Sequence, residues 1–267
     1  MVFPRRLGGA SAAALIAAGS ILGATPLQAR ADPSSGEVTV VEPTVLAEVP
    51  HDPGAYTEGF EFDGPDTLYE ATGEVGKSQL RELDPNTGAV RRSVPLPSNY
   101  FGEGITVVGD RIWQLTYKDG VAIEWDKATF TPLREVPVSG QGWGLCRDGD
   151  RLIRSDGTGR LHFHDPATFA ETGGVTVTRD GQAVTGLNEL ECVGGQVWGS
   201  LWPGDEIARI DPASGKINLV ADMSGLWQFG DRSIRQVLSG IAYVGGEEFL
   251  VDGKEWPAAF RVRIPGA

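Results

Sequence analysis

Cysteine occurs only twice in 267 residues, at Cys146 and Cys192, and histidine three times, at His51, His162 and His164. Two cysteines cannot complete a zinc ribbon or another cysteine-based metal site. They are also too few for a disulfide framework, although an oxidising compartment could pair them. The histidines show no metal-ligand spacing with an acidic third partner, and His162 and His164 share one strand face beside a turn. All three are expected at the surface. Beyond residue 31 no stretch approaches 18 consecutive apolar residues, so no segment of the mature chain can span a bilayer and a soluble product is expected. Helical periodicity is nearly missing too. Only Asp231 to Leu238, with Ile234, Val237 and Leu238, could form a two-turn amphipathic face.

Positive charge is also scarce, with Lys and Arg totalling 23 against 36 Asp and Glu. The first 31 residues carry Arg5 and Arg6, an apolar run from Ala12 to Leu22, and Ala29-Arg30-Ala31 before Asp32. That is the layout of a secretory signal peptide with an A-x-A cleavage site. Its loss removes Arg5, Arg6 and Arg30 and no acid, leaving 20 basic and 36 acidic residues and a formal charge of −16. Nucleic acid and anionic membrane surfaces are poor partners for such a chain. An exported, periplasmic or secreted monomer is expected.

Glycine is abundant, 37 residues beside 17 prolines, which favours a turn-rich β architecture. A short element recurs as Glu58-Gly59-Phe60, Glu103-Gly104-Ile105, Trp143-Gly144-Leu145, Asn188-Glu189-Leu190 and Ser239-Gly240-Ile241, with spacings of 45, 40, 45 and 51 residues. A second element trails it, beginning at Leu83-Asp84-Pro85, Trp125-Asp126-Lys127, His164-Asp165-Pro166 and Ile210-Asp211-Pro212. In such turns the Asp carboxylate accepts nearby backbone N–H groups. Four short strands in about 45 residues make one propeller blade. The expectation is an all-β, five-bladed β-propeller with four antiparallel strands per blade, spanning residues 44–267 after a lead-in of 32–43. The last blade lacks its own outer hairpin, so Val38 to Val49 is expected to close the ring near Phe260 to Ile264. Met223 to Leu238 reads as an insertion over one face.

Propeller inner strands face a central channel, so the repeat should bring Glu58, Glu103, Trp143, Asn188 and Ser239 toward one mouth. Trp113, Trp125 and Trp198 are expected in the core. Two carboxylates and an amide in a partly dry funnel suit acid–base chemistry or a hard metal ion. A metal-dependent propeller lactonase or esterase-like hydrolase fits that description, and so does a non-catalytic periplasmic binding propeller.

Eight motifs, in order, resemble the plant and bacterial type of glutaminyl-peptide cyclotransferase. They are Tyr56-Thr57-Glu58-Gly59-Phe60, Phe101-Gly102-Glu103-Gly104-Ile105-Thr106, Gln114-Leu115-Thr116-Tyr117, Gly142-Trp143-Gly144-Leu145, Ser155-Asp156-Gly157-Thr158, Leu187-Asn188-Glu189-Leu190-Glu191, Val197-Trp198 with Leu201-Trp202, and Gly253-Lys254-Glu255-Trp256-Pro257. The resemblance implies a five-bladed propeller that converts the N-terminal glutamine of peptides to pyroglutamate with release of ammonia. It implies Glu103 as the acid–base group, Asn188 and Lys254 as further active-site groups, and Tyr56, Glu58, Tyr117, Trp143 and Trp202 as substrate-binding residues. It requires no catalytic cofactor, though a structural divalent ion such as Ca²⁺ is compatible with the channel. Two positions depart from the resembled pattern: Glu58 stands where Gln is usual, and Tyr117 where Trp is usual.

Overall fold

The computed structural model describes residues 37–267; the expected signal peptide lies outside them. Two short strands, β1 (Thr39–Val41) and β2 (Thr44–Pro50), precede the blades. Blade one is β3 (Thr57–Phe62), β4 (Leu68–Thr72), β5 (Gln79–Leu83) and β6 (Val90–Pro95). Blade two is β7 (Gly102–Val108), β8 (Arg111–Thr116), β9 (Val121–Asp126) and β10 (Thr131–Pro137). Blade three is β11 (Leu145–Asp148), β12 (Arg151–Arg154), β13 (Arg160–His164) and β14 (Glu171–Thr176), followed by a small hairpin of β15 (Thr178–Arg179) and β16 (Gln182–Ala183). Blade four is β17 (Leu187–Val193), β18 (Gln196–Leu201), β19 (Glu206–Ile210) and β20 (Ile217–Asp222). Blade five has β21 (Leu238–Gly245), β22 (Glu248–Gly253) and β23 (Ala258–Arg263), and its fourth strand is β2, antiparallel to β23. Each blade is a meander of antiparallel neighbours, as expected from the repeat.

The N-terminal segment differs from expectation in one half. Thr44–Pro50 closes the ring, but Thr39–Val41 pairs in parallel with β20 and adds a fifth strand to blade four. The division falls at Glu42-Pro43, where proline supplies no N–H and interrupts a single continuous strand. The helix expected over Asp231 to Leu238 is not there. Among the described residues the one helical element is a 3-10 turn at Ser224–Leu226, and Leu238 already belongs to β21. Ile234 is 94% exposed while Leu238 is buried in the core, so the three residues do not share one packed face. Arg232 and Arg235 hold the segment down instead, on Asp205 and on Glu74 with Glu255.

The four Asp turns share one construction. The carboxylates of Asp84, Asp126, Asp165 and Asp211 accept N–H groups two or three residues on. The residue four positions later donates its N–H to the Asp carbonyl and takes a positive φ: Gly88, Phe130, Phe169 and Gly215. The two phenylalanines accept that backbone because their rings are buried between blades.

The core is five layers, one at each junction between neighbouring blades. Strand side chains alternate, so each blade feeds both junctions. Trp125 packs toward blade one, Trp113 toward blade three and Trp198 toward blade five, all in the core as expected. Near the axis the inner strands approach backbone to backbone. A Cβ on Gly104 would lie 2.5 Å from the Trp143 carbonyl oxygen, which is why the repeat centres on glycine. Carboxylates stitch these strands across the gaps: Glu61 accepts from Val107 N–H, Glu189 from Phe60 and Glu191 from Tyr243. Burial pushes Glu61 up to about 7 and raises Glu189 and Glu191 well above the usual carboxylate range. Cys146 and Cys192 form a disulfide that joins the inner strands of blades three and four.

Two of the three histidines are not at the surface. His51 and His164 are buried, and His162 is half-buried between Asp156 and Glu171. His164 ends a strand whose side chains alternate between junctions, and its Nδ1 bonds the Phe169 carbonyl inside the Asp165 turn. His51 follows the closing strand and meets Glu70 and Asp252, acidic partners that sequence distance conceals.

The two N-terminal strands make different demands on the ring. A chain beginning at Pro43 loses only the added edge of blade four, so its thermal midpoint should fall by a few degrees. A chain beginning at His51 loses β2 and leaves blade five with three strands and an open edge; it should not yield a cooperative melting transition by circular dichroism.

Candidate active site

One cavity of about 510 Å³ sits at the mouth where the inner strands begin. Tyr56, Glu58, Phe101, Glu103, Tyr117, Gln141, Trp143, Gly157, Asn188, Trp202 and Lys254 line it. The eight residues assigned by resemblance are all among them. Ser239, the fifth copy of the repeat, is not; its hydroxyl donates to the Thr57 carbonyl and stays in the wall.

The floor is ionic. Glu58 near the start of β3 and Glu103 near the start of β7 come from neighbouring blades, and Lys254 follows β22. The Lys254 Nζ lies 2.6 Å from each Glu58 carboxylate oxygen. Burial and the Glu58 charge, only partly offset by Lys254, raise the Glu103 carboxyl well above its usual range. Burial also raises Glu58, with Lys254 opposing. Burial works against the Lys254 charge, but Glu58 and Glu103 more than restore it. The consistent assignment is an ionised Glu58 paired with an ammonium and a protonated Glu103 beside them. Glu103 Oε2 is buried and has no hydrogen-bond partner.

The walls are aromatic. Tyr56, Phe101, Tyr117, Trp143 and Trp202 follow one another around the mouth, with successive ring centroids 6.1, 5.7, 6.2 and 5.8 Å apart. Most of these contacts are edge-on, the arrangement that ring quadrupoles favour. Trp202 is 45% exposed and forms the outer lip. The collar is open on the side of blade five, where Lys254 and Arg235 each lie 4.7 Å from the Tyr56 ring centre.

Trp143 is held from three sides. Its indole N–H donates to Gln141 Oε1 at 3.0 Å, and its backbone N–H to the Ser155 carbonyl. Gly157, at φ +79, lies so close that a Cβ would come within 2.4 Å of the indole ring. Ser155 also joins Trp143's neighbour to Asn188, its hydroxyl accepting from Gly144 N–H and donating to the Asn188 carbonyl. Behind them lies Arg154, fully buried, which donates to the carbonyls of Gln141 and Ser139 and to His164 Nε2. Burial lowers the His164 pKa, which keeps that nitrogen free to accept.

Sequence reasoning missed Phe101, Gln141, Gly157 and Arg154. Phe101, Gly157 and Gln141 each sit within or beside a quoted motif, and that adjacency was the available signal. Arg154 also adjoins a quoted motif, but its partners, two carbonyl oxygens and His164 Nε2, leave no acidic counterpart to be read from the sequence.

A five-bladed propeller with a buried acid, an ion pair and an aromatic collar at the axial mouth defines a class of pocket enzyme in which all functional side chains come from one ring. The sequence model of the glutamine cyclotransferase family matches residues 15–264, and the chain belongs to that family. A curated relative, the glutaminyl-peptide cyclotransferase of Arabidopsis thaliana, is 38% identical over 229 residues, covering 84% of this chain and 71% of that one. The crystal structure of Myxococcus xanthus glutaminyl cyclase superposes with a TM-score of 0.79 at 34% identity, covering 85% of this chain and 98% of that one.

The ion pair yields a pH prediction. Glu58→Gln removes the anion that most strongly raises Glu103 after burial and frees Lys254 to face it. Glu103 should titrate lower, so the limb of the kcat/KM profile that it sets should move to lower pH. A limb that stays in place or moves upward would refute the assignment.

Proposed function

We propose that the chain converts the N-terminal glutamine of peptides to pyroglutamate and releases ammonia. The observation that carries this reading is the buried Glu103 carboxyl, raised well above its usual range, at the floor of an aromatic cavity beside the Glu58–Lys254 pair. Cyclisation requires the α-amine to reach its own side-chain carbonyl carbon at about 3 Å, an arrangement that confinement favours. The collar from Tyr117 through Trp143 to Trp202 folds the glutamine side chain back on itself. Glu58 accepts from the α-amino group, and Tyr56 covers that side.

As the α-nitrogen forms its bond to the carbonyl carbon it sheds a proton, and the amide nitrogen must gain one before its bond breaks. Glu103 delivers its proton to the departing nitrogen and takes the one shed by the amine. Each turnover thus returns it to its starting state, and one carboxyl performs both transfers. The ammonium of Lys254 has three N–H donors, of which Glu58 engages two. The third, with the Asn188 amide, faces the oxyanion that forms in between.

No catalytic metal is needed in this scheme, because Lys254 supplies the positive charge between the two carboxylates that a hard ion would supply in a propeller hydrolase. All eight assigned residues come from one ring, which supports a monomer as the working unit. Export to an oxidising compartment is supported by the Cys146–Cys192 disulfide and by the leader-like residues 1–31. No helix of the described residues is long and apolar enough to cross a membrane.

The test is ammonia release from a glutamine-initiated dipeptide, with and without a chelator; turnover is expected in both. Glu103→Gln keeps the side-chain shape but transfers no proton, and should lower kcat by about 10²–10⁴-fold with a smaller change in KM. Gln141→Ala removes the partner of the Trp143 indole and should raise KM several-fold while leaving the melting temperature nearly unchanged. Full activity in Glu103→Gln would remove Glu103 from the chemistry.

A further inference from the structure

Behind the floor of the pocket lies a second charged group that the reaction scheme does not use. His51 Nε2 is 3.0 Å from Glu70 Oε1 and 3.2 Å from Asp252 Oδ2, and all three side chains are buried. The His51 Nδ1 is 3.1 Å from the Trp256 carbonyl, so Nδ1–H donates there and Nε2 faces the carboxylates. Thr57 Oγ1 donates to Glu70 Oε1 at 2.9 Å and lies 3.4 Å from Asp252 Oδ2. Arg81 Nη1 stands 3.4 Å from Glu70 Oε2 and also meets the half-exposed Asp52.

An imidazole nitrogen and two carboxylate oxygens are a donor set for a divalent cation. Arg81 decides against that occupant. Its guanidinium, shared between Glu70 and the half-exposed, solvated Asp52, offsets part of the charge on the buried carboxylates, and a proton on Nε2 balances most of what remains. Burial opposes the His51 charge, yet Asp252 and Glu70 outweigh it and push the ring up to about 10. Burial pushes Asp252 up to about 7 against the pull of His51, so it is ionised at pH 8.

The connections of this group run straight to the pocket. Thr57 precedes Glu58 on β3, and Asp252 lies two residues before Lys254. His51 follows the ring-closing strand, and its backbone N–H donates to the Pro257 carbonyl. The ion pair at the pocket floor therefore rests on β3, which Thr57 ties to Glu70, and on the end of β22, where Asp252 meets His51.

We propose that His51 is a positioning residue: as an imidazolium shared by Glu70 and Asp252, it locks blade one to blade five and thereby sets Glu58 and Lys254 in place for catalysis. The proposal rests on the cyclase reading. The His51 contribution has the sign of a pKa raised on folding: it is lost as pH rises toward 10, while on the acid side the Asp252 half of the lock fades as pH falls below about 7.

The test compares wild type, His51→Gln, His51→Gln/Asp252→Asn and a stability control, Leu161→Ala, in the core between blades three and four. Ammonia release is assayed well below every melting temperature. His51→Gln should lose about tenfold or more in kcat. The double variant, which removes an anion along with the cation, should regain most of it, and Leu161→Ala should melt earlier with kcat unchanged. The loss of melting temperature between pH 7 and 10 should be larger in wild type than in His51→Gln. Nitrogen-15 NMR of the wild-type ring at pH 8 should show both nitrogens protonated. Wild-type kcat in His51→Gln, a neutral ring at pH 8, or one equivalent of divalent metal removable by chelator would overturn the proposal. A wild type that releases no ammonia would defeat the cyclase reading instead, and the NMR and melting results would then decide the state of His51 alone.

Discussion

Ring closure is the constraint from which the rest follows. A propeller whose last blade borrows its outer strand from the start of the chain cannot finish folding until both ends have met, so β2 against β23 joins residues more than 200 positions apart. That junction between blades five and one is also where the ionic floor stands. Glu58 rises from the first inner strand and Lys254 from the last blade, and their contact at 2.6 Å exists only in the closed ring. Burying such charges is unfavourable unless they are paired, so the pocket chemistry and the closing of the fold depend on the same contact.

The site gains its reactivity from placing acids where water cannot solvate them. Burial and the neighbouring Glu58 raise the Glu103 carboxyl well above its usual range, while Lys254 opposes the rise that burial imposes on Glu58. Two carboxyls of one residue type thus divide into an acid and an anion through their surroundings alone. Further along the axis Glu61, Glu189 and Glu191 use the same residue type for another purpose, accepting the N–H groups that unpaired inner strands would otherwise leave bare. The difference between these groups is the presence of an open cavity and a cation.

The blade count, the Asp turns and the convergence of Glu58, Glu103, Trp143 and Asn188 were legible because they repeat, and a repeat carries its own register. Features that occur once were harder to read. The break at Pro43 sends Thr39–Val41 to another blade, and a parallel strand addition leaves no periodic mark. Two histidines read as exposed because their partners, Glu70 and Asp252 for His51 and Arg154 for His164, lie on other strands. The apolar spacing of Ile234, Val237 and Leu238 suggested a helix, but that segment answers to Asp205, Glu74 and Glu255, contacts between distant loops.

The five aromatic rings around the mouth come from five different connections: Tyr56 before β3, Phe101 before β7, Tyr117 between β8 and β9, Trp143 before β11 and Trp202 between β18 and β19. No single loop owns the pocket, so no single insertion or deletion can reshape it as a whole. Its calibre is fixed by the radius of the ring, while its texture is adjustable one position at a time. A lineage can therefore tune what enters by exchanging individual rings without disturbing the scaffold that holds the others.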